Sequence, residues 1–374
     1  MNDLINEIIK GGDLWSRLLK SEKNILVYGM GNGAEKLLDV CEKRGIKVGG
    51  VFCSDGFERN KIFRGFPVRG MSETLEKFPD PVILVAFGSH DKNTLEKIAG
   101  LAEKYELYVP DLPVYTESEN VNAEIFDSAY FEKNKDKIEA ARELFSDERS
   151  RGLYDLIIAY KLSGRLDLLE KAVSANEPEA FEKDIKMCVD AGAYRGDTVE
   201  ERFARSPSVE TIFAIEPDEK NVSRLEKQYG TDARVSIIKA AVGDCAKREV
   251  FLSGNGRGGA LGKTDSRAKK RLVDIVTVDG IVEEKKIDFI KYDVEGAERS
   301  ALAGSRKTIE KYLPFLRVSA YHKTADIFEL PIYLSELSGG RYNMYLRRRS
   351  CIPAWEIDVI AAGGRCPHPT DALT

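Results

Sequence analysis

From Ile185 to Ala362 the chain repeats one pattern seven times, a short apolar run with helical stretches between: IKMCVDAGA, TIFAIEPD, VSIIKAAVGD, DFIKYDVEG, PFLRVSAYH, YNMYLRRRS and WEIDVIAA. Runs this short and nearly unbroken suit strands buried on both faces, and their alternation with helices predicts a mostly parallel sheet. A shorter version of the pattern comes earlier. NILVYG, a Gly-rich turn, the helical AEKLLDVCEKRG, KVGGVFCSDG, PVILVAFGS and a helix through Leu101 predict a small open parallel sheet over about residues 20–120. The fold class expected is therefore α/β, with two tandem Rossmann-like domains. Residues 121–184 hold few strand signals, and Phe145, Tyr154, Leu156, Leu162, Leu166 and Leu169 recur at helical spacing, so a helical connector is expected there. The division is 1–120, 121–184, 185–361 and a loose tail at 362–374. A length of 374 residues exceeds what a single core supports, roughly 250 to 300. One Gly-rich, then basic stretch, residues 253–270, breaks the alternation and reads as a mobile loop or hairpin.

Composition narrows the partners. With 43% hydrophobic and 32% charged residues and a formal charge of -5, the chain reads as globular, with no basic signature for nucleic acid. Six scattered cysteines and three histidines make no metal-ligand spacing, so no metal is expected, and reduced thiols point to the cytoplasm. Neither an export signal nor a membrane span is expected. Leu4, Ile8, Ile9, Leu14, Leu18 and Leu19 suit short amphipathic helices packed on the first domain.

The turns after the strands carry the chemistry. In VDAGAYRGDT a strand ends at Asp190, Gly192 permits a tight turn and Gly196 opens a helix, small residues that let a ligand approach the backbone. A dinucleotide fingerprint needs a second glycine where this chain has Tyr194, which argues against a pyrophosphate. Asp190 opposes an anion and favours a cationic or zwitterionic ligand; S-adenosylmethionine fits that sign. Glu216 ends the next strand 24 positions after Gly192, where an acidic residue binds ribose hydroxyls in nucleotide-binding sheets. Asp244, read as the end of the third strand, suits an adenine amino group. Each carboxylate alone is as often a cap or turn former.

In KYDVEGAE, Lys291, Asp293 and Glu295 alternate, hence share a face if the strand persists. The bland alternative is an ion pair of Lys291 with a carboxylate and a helix cap at Glu295. Arg347, Arg348 and Arg349 suit an acceptor's phosphate or carboxylate; an exposed edge strand blunted by charge explains them equally well. In YGMGNGAEKLL, Gly29, Gly31 and Gly33 follow a strand and offer room to an anion, with Asp55 near the next strand end.

DAGAYRGDT, IEPDEKN, AAVGD, VDIVTVDG and above all IDFIKYDVEGAERSALAGS resemble, in order, the motifs of the FkbM-type family of S-adenosylmethionine-dependent methyltransferases. The resemblance covers about residues 185–361 and implies a class I methyltransferase seven-stranded sheet with the cofactor across the C-terminal ends of its first strands. It implies that Asp190 and Gly192, with Ala193, Tyr194, Gly196 and Thr198 of the same turn, line the methionine and ribose. Glu216 would take the ribose hydroxyls, Asp244 the adenine, and Asp293 the methionine or acceptor side. A hydroxyl acceptor must lose a proton, for which His322, Asp293 and Glu295 are the candidates; an unperturbed imidazole titrates nearest neutrality. The first domain resembles small Rossmann-like domains of sugar-modifying enzymes, so Gly29, Gly31 and Arg347 are expected to bind an acceptor or nucleotide sugar.

The function expected is O-methylation of a sugar or glycan precursor, by a protein with a small-molecule or glycan acceptor and a possible homo-oligomeric state. The alternatives are an NAD-linked oxidoreductase acting on a nucleotide sugar, and a non-catalytic binding protein with a methyltransferase-like fold.

Overall fold

The computed structural model describes residues 3–58, 62–114, 124–174, 184–253, 260–261 and 269–363. The chain forms two compact units, neither continuous in sequence. Unit 1 takes Met1–Arg142, Glu148–Ser174 and Arg347–Ile357; unit 2 takes Glu143–Asp147, Ala175–Leu346 and Asp358–Thr374.

Unit 1 opens with α1 (Asp3–Gly11), α2 (Leu14–Lys20), β1 (Ile25–Tyr28), α3 (Asn32–Lys43) and β2 (Val48–Cys53). A hairpin of β3 (Ile62–Phe63) and β4 (Phe66–Pro67) leads to β5 (Arg69–Gly70), α4 (Met71–Lys77), β6 (Val82–Val85), α5 (Lys92–Ala102) and β7 (Glu106–Tyr108). Then come α6 (Ser128–Glu143), α7 (Glu148–Ser163) and α8 (Leu166–Lys171), in the span expected to be helical. The sheet runs β5-β2-β1-β6-β7, every pair parallel. Strands β1 (ILVY) and β6 (VILV) are buried at every position, as an all-apolar strand of a covered sheet must be. Leu14, Trp15 and Leu18 of α2 join that core beside Ile25 and Leu37, while Leu19 faces outward. Asp13 fixes the start of α2, its carboxylate accepting from Ser16 N and Ser128 N at 2.8 Å each.

Unit 2 holds β8 (Met187–Ala191), α9 (Asp197–Arg205), β9 (Thr211–Ile215), α10 (Glu219–Tyr229) and β10 (Val235–Ile238). Four short strands follow, β11 (Ala241–Val242), β12 (Lys247–Ser253), β13 (Ala260–Leu261) and β14 (Lys269–Val276). The chain continues through α11 (Val278–Val282), β15 (Phe289–Tyr292), α12 (Glu298–Ala303), α13 (Arg306–Tyr312), β16 (Phe315–Ser319) and α14 (Asp326–Ser338). It closes with β17 (Tyr342–Arg348) and β18 (Ile357–Gly363). The seven expected strands make one sheet in the order β10-β9-β8-β15-β16-β18-β17. Its first five strands run parallel, and β18 is antiparallel to β16. The order reverses at β8, which puts the C-terminal ends of β8, β9 and β15 side by side, the place where open α/β sheets bind ligands.

Two expectations change, and of the loop or hairpin expected around 253–270 the hairpin is found. VSIIKAAVGD is not one strand: β10 stops at Ile238, and β11 leaves the sheet to pair with β14, Ala241 against Ile275. The break around 253–270 is built on a hairpin, since β12 and β14 pair antiparallel from Lys247↔Ile275 to Ser253↔Lys269 with an Arg248–Asp274 ion pair at 2.6 Å; the residues of this stretch between the strands lie outside the described ones, as does the tail after Gly363. The run Arg347–Arg349 is not an exposed edge throughout: Arg347 and Arg348 are buried, while Arg349 is exposed. Arg348 donates to the carbonyl oxygens of Leu169 at 2.9 Å, Ala172 at 2.7 Å and, closely, Cys351. Guanidinium donors spent on carbonyls at the end of a helix are structural.

Candidate functional site

The turn after β8 hangs from the end of β9: Gly192 N and Ala193 N both donate to the Ile215 carbonyl at 3.0 Å. On the other side Asp293 N donates to the Ala191 carbonyl, also at 3.0 Å. Gly192 has φ +85° and Gly196 φ +91°, left-handed conformations that side chains resist. A Cβ on Gly192 would overlap the Asp293 carbonyl, and one on Gly196 would overlap the Tyr229 ring. What these two glycines admit is therefore other protein, the β15 turn at Gly192 and α10 at Gly196. Tyr194 between them is also left-handed (φ +48°), and the Arg195 guanidinium stacks on its ring. Ala193 and, in the first turn of α9, Thr198 are buried.

Glu216, one residue past β9, is buried and accepts three hydrogen bonds: Tyr194 N at 2.9 Å on Oε2, Asp218 N at 2.9 Å and Asn221 Nδ2 at 3.3 Å on Oε1. Burial raises its pKa in spite of these donors. A carboxylate offers about four lone-pair directions, so a ligand hydroxyl still finds an acceptor. Asp190 is 1% exposed; its Oδ1 lies 3.5 Å from Lys291 Nζ, and its Oδ2 is buried with no hydrogen-bond partner among the described residues. Burial pushes it up to about 6, against the pull of Lys291. The Lys291 amine also lies 3.5 Å from Asp293 Oδ2 and donates to the Gly192 carbonyl at 3.2 Å. Burial opposes its charge, but Asp190, Asp293 and Asp197 outweigh burial and raise its pKa.

Strand β15 ends at Tyr292, and Glu295 (φ +54°) and Gly296 (φ +93°) turn left-handed. Glu295 thus neither continues the strand face nor caps α12, whose N-cap is Ala297. The turn still brings it to His322, which lies just past β16 and is buried. His322 Nε2 is 3.5 Å from Asp293 Oδ1 and 3.6 Å from Glu295 Oε2. On the far side, Nδ1 forms an ion pair with Glu298 Oε1 at 2.9 Å, at an angle outside ordinary hydrogen-bond geometry. Burial alone would lower the imidazole pKa, but Glu298 first, then Glu295 and Asp293, push it up to about 10. Burial pushes Glu295 up to about 7, partly offset by His322. Asp293 goes the other way, because Lys291 and His322 together outweigh its burial and lower it. Asp326, which accepts from Lys323 N at 2.7 Å, is raised by burial and by Glu298.

Glu298 was absent from the residues singled out in the sequence. Its only local signal is the last position of KYDVEGAE, where a first-turn glutamate reads as an ordinary helix-end charge. Among the described residues, Asp293, Glu298 and His322 bring donor atoms within 4.8 Å of one another; a cation held there would have to displace the proton on His322.

Asp190, Gly192, Glu216, Asp293, Glu295 and His322 are linked through these contacts. Asp244 is set apart: it is exposed beyond β11, its N–H bonded to Ser300 Oγ at 3.1 Å. Gly29, Gly31 and Arg347 belong to unit 1. There a Cβ on Gly29 would come 2.9 Å from the Phe87 ring, and one on Gly33 would overlap the Ala86 carbonyl, while Gly31, the N-cap of α3, faces open space. Asp55 is already engaged, accepting from Ser72 N at 2.9 Å and Ser72 Oγ at 2.7 Å.

Residues 190–345 match the model of the methyltransferase FkbM domain. The crystal structure of methyltransferase FkbM from Methylobacillus flagellatus KT shares the fold, with a TM-score of 0.65 and 18% identity over 96% of this chain and 94% of that one. An rRNA methylase from Streptococcus thermophilus aligns with 50% of this chain and 92% of its own at 11% identity and a TM-score of 0.33. A search of curated proteins finds no match. The seven-stranded sheet with its acidic strand ends is thus that of a class I methyltransferase, and the chain carries an FkbM-type methyltransferase domain at residues 190–345.

Proposed function

We propose that this protein is an S-adenosylmethionine-dependent O-methyltransferase whose acceptor is a hydroxyl of a sugar or glycan precursor. The observation that carries the reading is the cluster of Asp293, Glu295 and His322 at the strand ends next to Asp190 and Glu216. The residues fit the cofactor. The buried, unpartnered Asp190 Oδ2 calls for a cation or donor, and Glu216 retains an acceptor direction for a ribose hydroxyl. When bound, S-adenosylmethionine supplies a methyl group activated on a sulfonium, the C–S bond breaking as the new O–C bond forms.

The protein's task is to align the acceptor and remove its proton. His322 does not remain the base that its ordinary pKa suggests: three carboxylates hold it protonated at neutral pH. Asp293, lowered and paired with Lys291, is a weak base. Glu295, raised to about 7 and half-buried, is matched to taking the hydroxyl proton near neutrality. The protonated His322, 3.6 Å away, steadies the carboxylate before that transfer.

Unit 1 is assigned an acceptor or nucleotide-sugar role through Gly29, Gly31 and Arg347; Asp55, already bonded to Ser72, offers little to an NAD ribose. Free cysteines, and no helix among the described residues long and apolar enough to cross a membrane, accord with a cytoplasmic setting. The test is calorimetric titration of the protein and of Glu216→Ala with S-adenosylmethionine, S-adenosylhomocysteine and NAD. Adenosyl ligands should bind, and bind at least tenfold more weakly to the variant. Binding of NAD alone, unaffected by the substitution, would sink the reading.

A further inference from the structure

We propose that Glu298 is a positioning residue of the methyl-transfer site, holding both the turn that presents Glu295 and the charge on His322; the assignment rests on the methyltransferase reading above. One carboxylate oxygen, Glu298 Oε1, accepts from Val294 N at 3.0 Å and Gly296 N at 3.3 Å and lies 2.9 Å from His322 Nδ1. The two backbone donors flank Glu295, whose φ of +54° is unfavourable for a residue with a side chain and persists only where the surroundings enforce it. Glu298 is the side chain that enforces it, from the first turn of the helix that follows.

The same oxygen meets the imidazole arriving from the end of β16. Glu298 and His322 are each 1% exposed, so neither charge is satisfied by water and each depends on the other. With Nδ1 facing Glu298, Nε2 is left to face Asp293 and Glu295. A carboxylate behind an imidazole fixes which nitrogen faces the reacting side, and it stabilises the imidazolium. Removing the charge of Glu298 while keeping its shape should therefore lower the imidazole pKa and remove the cation that steadies Glu295. The other groups facing the ring, Asp293, Glu295 and Asp326, remain to sustain part of the shift.

The experiment is a nitrogen-15 NMR titration of histidine-labelled full-length protein, with the His322 signal assigned by its absence in His322→Gln. In the wild type one imidazole should stay protonated through pH 8. In Glu298→Gln, which keeps an acceptor for Val294 N and Gly296 N, its titration should move down by roughly one unit or more. Glu298→Asp, which restores the charge, should recover part of the shift. An unmoved titration in Glu298→Gln, or a neutral His322 at pH 7 in the wild type, would overturn the proposal, and the wild-type measurement decides alone if the variant fails to fold. Calorimetry with S-adenosylmethionine on the same sample separates the two levels: no binding beside the expected titration removes the methyltransferase reading and leaves the Glu298–His322 pair standing.

Discussion

Gly192 and Asp293 meet backbone to backbone: a side chain on the glycine would occupy the place of the aspartate's carbonyl oxygen. The ends of β8 and β15 are thereby locked at one spacing, which sets the distance from Lys291 to both Asp190 and Asp293. Gly192→Ala should cost about 1–2 kcal/mol for the left-handed backbone and a further ~1–3 kcal/mol for overpacking. Urea denaturation measures it. Gly31→Ala, at an N-cap facing open space, should cost less, about 0.5–1 kcal/mol for exchanging a favourable N-cap residue for a poor one. Equal losses in the two variants would contradict the contact.

Lys291→Met should be among the most damaging substitutions in unit 2. It leaves the buried Asp190 without its cation, a loss of roughly 3–5 kcal/mol for a broken buried pair, and takes one of two cationic neighbours from the half-buried Asp293, which keeps His322. The deficit should shrink toward acidic pH as the stranded carboxylate takes up a proton. A deficit independent of pH, followed by thermal melts between pH 5 and 8, would show that packing rather than charge is lost.

Glu295 and His322 give opposite signs in activity and stability. Glu295 must be ionised to accept a proton, so the rate should rise about tenfold per pH unit up to about 7 and then level. Glu295→Gln should flatten that limb and lower the rate by roughly 10²-fold or more. Stability runs the other way. Both groups have folded pKa values above their unfolded ones, so their contribution is complete below the unfolded values and is lost on raising the pH. The loss spans the ordinary carboxylate range to about 7 for Glu295 and from about 6.5 to about 10 for His322. Denaturation midpoints across pH 5–10 would expose the fall.

Glu216 is a structural acceptor as well as a candidate ribose ligand, and Glu216→Gln separates the two. The amide still accepts from one side but turns an N–H toward a backbone N–H, an unsatisfied contact of about 1–3 kcal/mol. Affinity for S-adenosylhomocysteine should fall beyond what the stability loss explains, read by calorimetry well below the melting temperature.

The strands were legible because each is an apolar run long enough to cross a covered sheet, and Ile290, Val189 and Ile212 carry that signal unaided. Asp244 was misplaced because Ala241 and Val242 are as apolar as the strand before them; only Ile275 and Val276, over thirty positions on, reveal that they pair elsewhere. Glycine poses the same difficulty. The sequence shows that Gly192 makes room, but the occupant, Asp293, arrives from another strand. For His322 the neighbours decide the chemistry, and three carboxylates from the β15 turn and α12 turn a residue that looks like a base into a fixed cation.

Arg348 holds the carbonyls at the end of α8 from a segment that enters unit 1 only after the whole of the FkbM-type domain has been traversed. A gene fragment stopping at residue 184 would thus encode α8 without its clasp, leaving the Leu169 and Ala172 carbonyls bare. Synthesis on the ribosome meets the same gap: most of unit 1 is spelled before the FkbM-type domain and the rest after it, so its last piece arrives as a late insertion.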